Sequence, residues 1–226
     1  DVLGDASWRG AMAVSLGGDG SVATNGFWSA LTMATTLALP MLFYVEDNNL
    51  GISVKGEMQT PGGNIARNLA AFGNLFLRDG DGTDPAQAAA LIKACVDHVR
   101  GGHGPALVRL TVPRLSSHSG PDNQKGYRTD AEIAKDQERD PLPRLRDFLV
   151  PARLSAAEWE ALEQEVARDV AAGLDGARAR PAPDPATILR HRYAEADAPD
   201  EEHQDRLDQQ REGLGDLTRL VRAGSD

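Results

Sequence analysis

The chain has 226 residues, 41% of them hydrophobic, and a formal net charge of −10, enough for one large domain or one and a half. That charge argues against a nucleic-acid surface, and no apolar run approaches the ~18 residues of a membrane span. The single cysteine, Cys95, excludes an internal disulfide and any cysteine-rich zinc site.

Residues 1–10 have neither the basic segment nor the apolar core of a signal peptide, and no initiator methionine. We expect a cut or processed start and a cytoplasmic protein. Residues 11–16 are apolar and empty into Gly17, Gly18, Asp19 and Gly20, which predicts a strand running into a tight turn. Phe27, Ala30, Leu31, Ala34, Leu37 and Ala38 then recur at spacings of three and four. Thr24 or Asn25 is placed to cap that helix and Pro40 to close it. Residues 41–45 are continuously apolar, as a strand buried on both faces is, and meet Glu46, Asp47, Asn48 and Asn49.

Strand, helix and parallel strand place Asp19 and Asn48 after the carboxyl ends of two strands, the edge where open α/β sheets bind ligands. The backbone N–H groups of Gly20 and Ser21, ahead of the helix, favour an anion such as phosphate. Asp19 beside a phosphate would be repulsive unless a divalent cation intervenes. Magnesium is usually held by one or two carboxylates together with substrate phosphates, and Asp19, the Asn48 side-chain oxygen and a backbone carbonyl just beyond could supply three oxygens.

Residues 55–63 read as an exposed loop, residues 64–72 as a short helix with Ile65, Leu69 and Phe72 inward, and residues 74–77 as a brief strand. The acidic stretch at 79–84 suggests calcium only superficially, because the twelfth position of such a loop is Ala90. A turn in which Asp84 and Pro85 open the next helix is the plainer reading. Residues 85–100 predict an amphipathic helix in which Cys95 is a core thiol, and residues 106–112 another buried parallel strand. Alternating helices and buried strands point to an α/β, doubly wound parallel sheet. Arg114, His118, Asp122, Tyr127 and Arg128 follow the last strand in a polar loop. Taken alone, His118 there reads as a surface histidine.

Beyond the loop, residues 132–149 read as two short helices separated at Asp140 and Pro141. Ser155 and Glu158 form a capping box for a helix with Trp159, Leu162, Val166 and Val170 as its buried stripe, ending near Gly173. Residues 180–185 look like a linker. The tail from His191 has few apolar residues before Leu214, Leu217, Leu220 and Val221, so we expect it to be loosely held; His191 and His203 have too few partners for a metal. Residues 151–226 carry 10 basic and 17 acidic residues, so most of the negative charge lies in this part.

Gly18-Asp19-Gly20 and Asn48, separated by residues 21–47, resemble the thiamine-diphosphate signature. The wording GDGSVATNGFWSAL and LPMLFYVEDNNLGISV is similar to the alpha part of the decarboxylating component of 2-oxo acid dehydrogenase complexes, pyruvate or branched-chain type. By that resemblance Asp19, Asn48 and the Leu50 carbonyl bind magnesium. Gly20 and Ser21 touch the diphosphate, and Ile52 lies near the thiazolium ring. Leu50 stands where the family usually has tyrosine, a small departure for a backbone ligand. Arg-x-x-x-His-Ser at 114–119, with Asp122 and Tyr-Arg-Thr at 127–129, resembles the family loop that closes over the cofactor. Arg114 would then clamp the diphosphate and His118 would stand near it and the reacting carbon, the one candidate for a direct catalytic part, while Asp122 and Arg128 brace the loop.

The resemblance implies oxidative decarboxylation of a 2-oxo acid and acyl transfer to a lipoyl-bearing acyltransferase. It also implies a beta subunit or fused beta half, in a hetero-oligomer or a homodimer of a fused chain. Residues 1–150 would be a partial thiamine-diphosphate-binding domain holding the metal and diphosphate, residues 151–180 a helical C-terminal extension, and residues 181–226 linker and tail. The family's earlier cofactor contacts lie many residues ahead of the Gly-Asp-Gly turn, so we expect a fragment that is inactive alone. Two rival readings exist. Gly18, Gly20 and Ala23 also fit the G-x-G-x-x-A of an NAD-binding dehydrogenase domain, although Glu46 falls 26 residues beyond Gly20 where ~20 is usual. A non-catalytic module of the same fold is the other.

Overall fold

The computed structural model describes residues 10–189. They divide into two compact units, one ending at Gln164 and one beginning at Glu165. The first contains a parallel sheet of four strands: β1 (Ala13–Gly18), β2 (Met41–Asp47), β5 (Phe76–Asp81) and β6 (Ala106–Thr111), in the order β1-β2-β6-β5. Helix α1 (Asn25–Thr36) links β1 to β2, and α3 (Pro85–Arg100) links β5 to β6.

Strand alternation divides the core in two. Phe43, Val45 and Leu107 face Leu31 and Ala34 of α1, together with Ile65 of the short α2 (Ile65–Asn68) and Leu69. Leu42, Ala106, Val108 and Leu110 face Cys95 and Val99 of α3. Helices therefore cover both faces, and the fold is the doubly wound α/β sheet expected, consistent with the thiamine-diphosphate-binding fold. All four strands run the same way, so Gly18, Asp47, Asp81 and Thr111 end on one edge.

Several local expectations are corrected. Helix α1 stops earlier than its apolar spacing suggests: Ala38 turns left-handed at φ 50°, and the Leu39 N–H reaches back to the Ala34 carbonyl. That reversal sends Leu39 to the core and leaves Leu37 and Ala38 exposed. Strand β5 runs on into the acidic stretch, because Asp79 pairs with Arg109 on the neighbouring β6. A small antiparallel hairpin, β3 (Leu50–Gly51) with β4 (Val54–Lys55), runs into the expected loop at 55–63, which contains two 3-10 turns and buries Thr60.

Helices α4 (Asp130–Gln137) and α5 (Pro141–Leu149) separate at Asp140 as expected. The capping box at Ser155 opens α6 (Ala156–Arg178), with Ser155 donating to Glu158 at 2.7 and 2.8 Å and the Glu158 N–H returning to Ser155 Oγ. That helix continues past Gly173. Trp159 is buried, but Leu162, Val166 and Val170 are exposed, so the expected buried stripe is an open one. Residues 181–185 are exposed, and a 3-10 turn follows at Pro185–Leu189. His191, His203 and the apolar positions from Leu214 lie outside the described residues. Among the described residues no helix is long and apolar enough to cross a membrane.

Candidate functional site

The edge where the four strands end carries the residues singled out above. Asp19 follows β1 directly and is buried, and its Oδ2 has no hydrogen-bond partner. Burial raises its pKa, the charge of Asp47 raises it further, and backbone amides and Arg109 oppose the rise. A buried carboxylate oxygen without a donor is costly, and a cation is the group that would satisfy it. The residues present fit a divalent ion with oxygen ligands.

Gly20 brings a second turn against Asp19. A Cβ on Gly20 would sit 3.4 Å from Gly51 Cα and 3.3 Å from Gln59 Oε1, and one on Gly51 would collide with the Gln59 side chain. The Gly-Asp-Gly turn therefore lies close against the hairpin after Asn48, with the Gln59 side chain packed beside both glycines. Ser21 serves its own turn, its Oγ donating to the Gly18 carbonyl at 2.7 Å. One expectation changes here. Ser21–Ala23 form a 3-10 turn, and α1 begins later, with Thr24 accepting from the Phe27 N–H. Gly20 precedes that turn and Ser21 opens it, so neither directly precedes the first turn of α1.

Asn48 lies between two side-chain-to-backbone turns. The Asn49 N–H donates to Asp47 Oδ1 at 2.8 Å, and the Leu50 N–H donates to Asn48 Oδ1 at 3.0 Å, leaving that oxygen a second lone pair. Asn49 and Ile52 are both left-handed, at φ 63° and 57°, which is unusual for the β-branched Ile52. The Ile52 carbonyl accepts from Arg114 Nη1, tying the hairpin to the loop after β6.

That loop is braced from within. Arg114 is buried; its Nη2 donates to Tyr127 Oη at 3.0 Å and to Asp122 Oδ2 at 3.3 Å. The same Asp122 oxygen takes the Tyr127 hydroxyl at 2.6 Å and the His118 N–H at 2.8 Å, which hold its carboxyl below the usual range. Tyr127 is pushed the other way by desolvation and by its bond to Asp122. Arg128 donates to Asp136 at 2.6 Å and to the Arg114 carbonyl at 3.2 Å. Asp122 and Arg128 brace the loop, as expected. Asn48, Arg114 and His118 line one cavity of about 260 Å³, with the His118 ring exposed. Leu50 lines a neighbouring cavity of about 320 Å³ with Asp47, Asn48, Arg109 and Tyr127. The site is therefore two linked groups: Asp19 and Gly20 against the hairpin, and Asn48 with Arg114 and His118.

Sequence reasoning missed Arg109, which bridges Asp47 at 2.6 Å and Asp79 at 2.8 Å. The signal was present: a lone arginine inside an otherwise apolar strand must find a partner. No group of acidic, histidine or cysteine side chains alone is arranged for a metal among the described residues. A set built from one carboxylate, one amide and one backbone carbonyl falls outside that description.

The model of the dehydrogenase E1 component family matches residues 7–186. The 3-methyl-2-oxobutanoate dehydrogenase subunit alpha of Mycobacterium tuberculosis is 30% identical over 158 residues, 70% of this chain and 42% of the relative. The chloroplastic pyruvate dehydrogenase E1 component subunit alpha-3 of Arabidopsis thaliana is 30% identical over 185 residues, 81% and 43%. The pyruvate dehydrogenase E1 component subunit alpha of Staphylococcus aureus is 30% identical over 142 residues, 62% and 38%. The chain thus spans less than half the length of these curated relatives. With most of its residues inside the family match, the chain belongs to the dehydrogenase E1 component family, in the part that these relatives carry in their alpha subunits.

Proposed function

We propose that the chain supplies the metal and diphosphate half of a thiamine-diphosphate site for oxidative decarboxylation of a 2-oxo acid, pyruvate or a branched-chain acid. The buried, partnerless Asp19 Oδ2 at the ligand-binding edge carries this reading. Asp19, the Asn48 side-chain oxygen and the Leu50 carbonyl would hold magnesium, with the diphosphate completing the shell. The Gly20 and Ser21 backbone and the Arg114 guanidinium would take the diphosphate oxygens, a role suited to a fixed, permanently charged fork. Ile52 would lie beside the thiazolium ring.

Thiamine diphosphate, when bound, supplies the electron sink for loss of carbon dioxide. The chain's own contribution is positioning. His118 is the exception: its exposed imidazole, in the cavity shared with Asn48 and Arg114, can hydrogen-bond to the diphosphate or to the oxygen of the reacting carbonyl. A beta subunit or fused beta half would complete the site, in a hetero-oligomer or a homodimer of a fused chain. A lipoyl-bearing acyltransferase would accept the acyl group. We place the protein in the cytoplasm, where an unpaired, buried Cys95 is at home, and expect these 226 residues alone to be inactive.

The test is a calorimetric titration with thiamine diphosphate, with and without magnesium, beside an Asp19→Ala variant and an NAD control. We expect magnesium-dependent binding that the variant weakens by more than ~100-fold, since even outer-shell losses cost ~10–100-fold. Binding of NAD indifferent to magnesium would overturn the assignment in favour of a dinucleotide site.

A further inference from the structure

Arg109 sits in the middle of β6, opposite Val45 on one side and Asp79 on the other. Its Nε donates to Asp47 Oδ2 at 2.6 Å and its Nη1 to Asp79 Oδ1 at 2.8 Å. The Asp47 and Arg109 side chains are only 5% and 10% exposed, so this is a buried pair. Asp79 is in turn held by Asn64, whose Nδ2 donates to Oδ2 at 3.1 Å. The line of contacts starts at Asn64 and passes through Asp79 and Arg109 to Asp47. It ends on the Asn49 N–H, which Asp47 accepts through its other oxygen.

We propose that Arg109 is a positioning residue for the metal-binding turn, acting through Asp47 to fix the backbone that presents Asn48 and the Leu50 carbonyl. The inference rests on the thiamine-diphosphate reading above and names a residue which that reading does not use. Asp47 has its carbonyl pinned by the Val112 N–H at 2.9 Å, and its carboxylate is pinned by Arg109. It then accepts from the amide of left-handed Asn49, which ties the turn after Asn48 to the Asp47 carboxylate. Asn48 is the residue between those two fixed points.

A purely stabilising role explains this arrangement poorly. Buried ion pairs contribute little net stability, and apolar replacements often do as well. What an apolar pair cannot do is aim the Asp47 carboxylate at the Asn49 amide while holding its second oxygen. Lysine at position 109 would keep the charge but lose the planar fork that reaches both carboxylates.

The experiment uses the full-length protein with its partner and two variants, Arg109→Lys and the double variant Arg109→Met with Asp47→Asn. Three quantities are read: magnesium-dependent affinity for thiamine diphosphate, hydrogen exchange at the Asn49 and Leu50 amides without cofactor, and the thermal midpoint. We expect Arg109→Lys to stay folded, to lose ~10–100-fold in magnesium-dependent affinity, as outer-shell changes do, and to exchange the Asn49 amide faster. The double variant removes the buried charged pair together and leaves only Asp79, which is exposed and still held by Asn64, so its midpoint should return to the parent's while its affinity stays low. Affinity within twofold of the parent in folded Arg109→Lys, or joint recovery of midpoint and affinity in the double variant, would overturn the proposal. Were the unaltered protein to take no thiamine diphosphate, the cofactor reading would fail. Unchanged Asn49 exchange in Arg109→Lys would then overturn the positioning role by itself, and faster exchange would uphold it.

Discussion

Helices α3 and α6 carry the same kind of amphipathic pattern and meet opposite fates. In α3, Cys95 and Val99 are 0% and 1% exposed, packed on Leu42, Ala106, Val108 and Leu110 of the sheet. In α6, Leu162, Val166, Val170 and Leu174 are 46–66% exposed, and only Trp159 is buried. Periodicity shows which face of a helix is apolar; it does not show what covers that face. The chain order decides: α3 connects two adjacent parallel strands, so its return path lies on the sheet, whereas no strand follows α6 among the described residues.

The sharpest way to break this contrast is one charge on each helix. Val99→Glu would bury an unpaired carboxylate against β6 and should cost more than ~4 kcal/mol, enough to unfold the domain. Val170→Glu, on a helix that glutamate favours, should stay within about 0.5 kcal/mol. Urea unfolding of both variants reads the difference. A cost above ~2 kcal/mol for Val170→Glu would mean that the α6 stripe is covered in solution.

Cys95 sharpens the α3 side. Burial pushes its thiol from an ordinary value near 9 up to about 11, against a small opposing effect of Arg78. The folded state thus favours the neutral thiol, and its contribution is fully present below pH ~9. As pH rises from ~9 to ~11 the unfolded chain ionises and the folded one does not, so stability falls by about 3 kcal/mol. Comparison with Cys95→Ala isolates this slope, which should be absent in the variant. A thiol that alkylates in the native protein at pH 8 would contradict the burial.

What was legible in the sequence follows the same division. The strand-helix-strand order of β1, α1 and β2, the bounds of α3, the Asp84 cap and the Ser155 box all depend on residues close in the chain, and each is legible there. The misses depend on partners far away. Asp79 belongs to a strand because Arg109, 30 residues on, neutralises it; alone, it looks like loop. Leu37 looked buried until Ala38 turned left-handed, a choice that alanine does not announce. At the candidate site, Asp19 and Asn48 stand out by their place after two strand ends and Arg114 and His118 through the family resemblance alone, whereas the Asp47–Arg109–Asp79 bridge is hidden because its three members lie on three strands.

The smallest effects test whether α6 melts with the sheet. Asp84 Oδ1 accepts from the Ala86 and Gln87 N–H groups at 3.0 and 2.9 Å, capping a helix locked between strands. Asp84→Ala should therefore lower global stability by ~1 kcal/mol. Gly173 sits inside α6 with nothing within 4 Å of the place a Cβ would take. Gly173→Ala should add up to ~1 kcal/mol of helix stability without strain. If the exposed turns of α6 open independently, that gain will appear as slower amide exchange at 166–178, and the urea midpoint will not move. A midpoint that rises by the full propensity gain would show that α6, despite its open stripe, unfolds as one cooperative unit with the sheet.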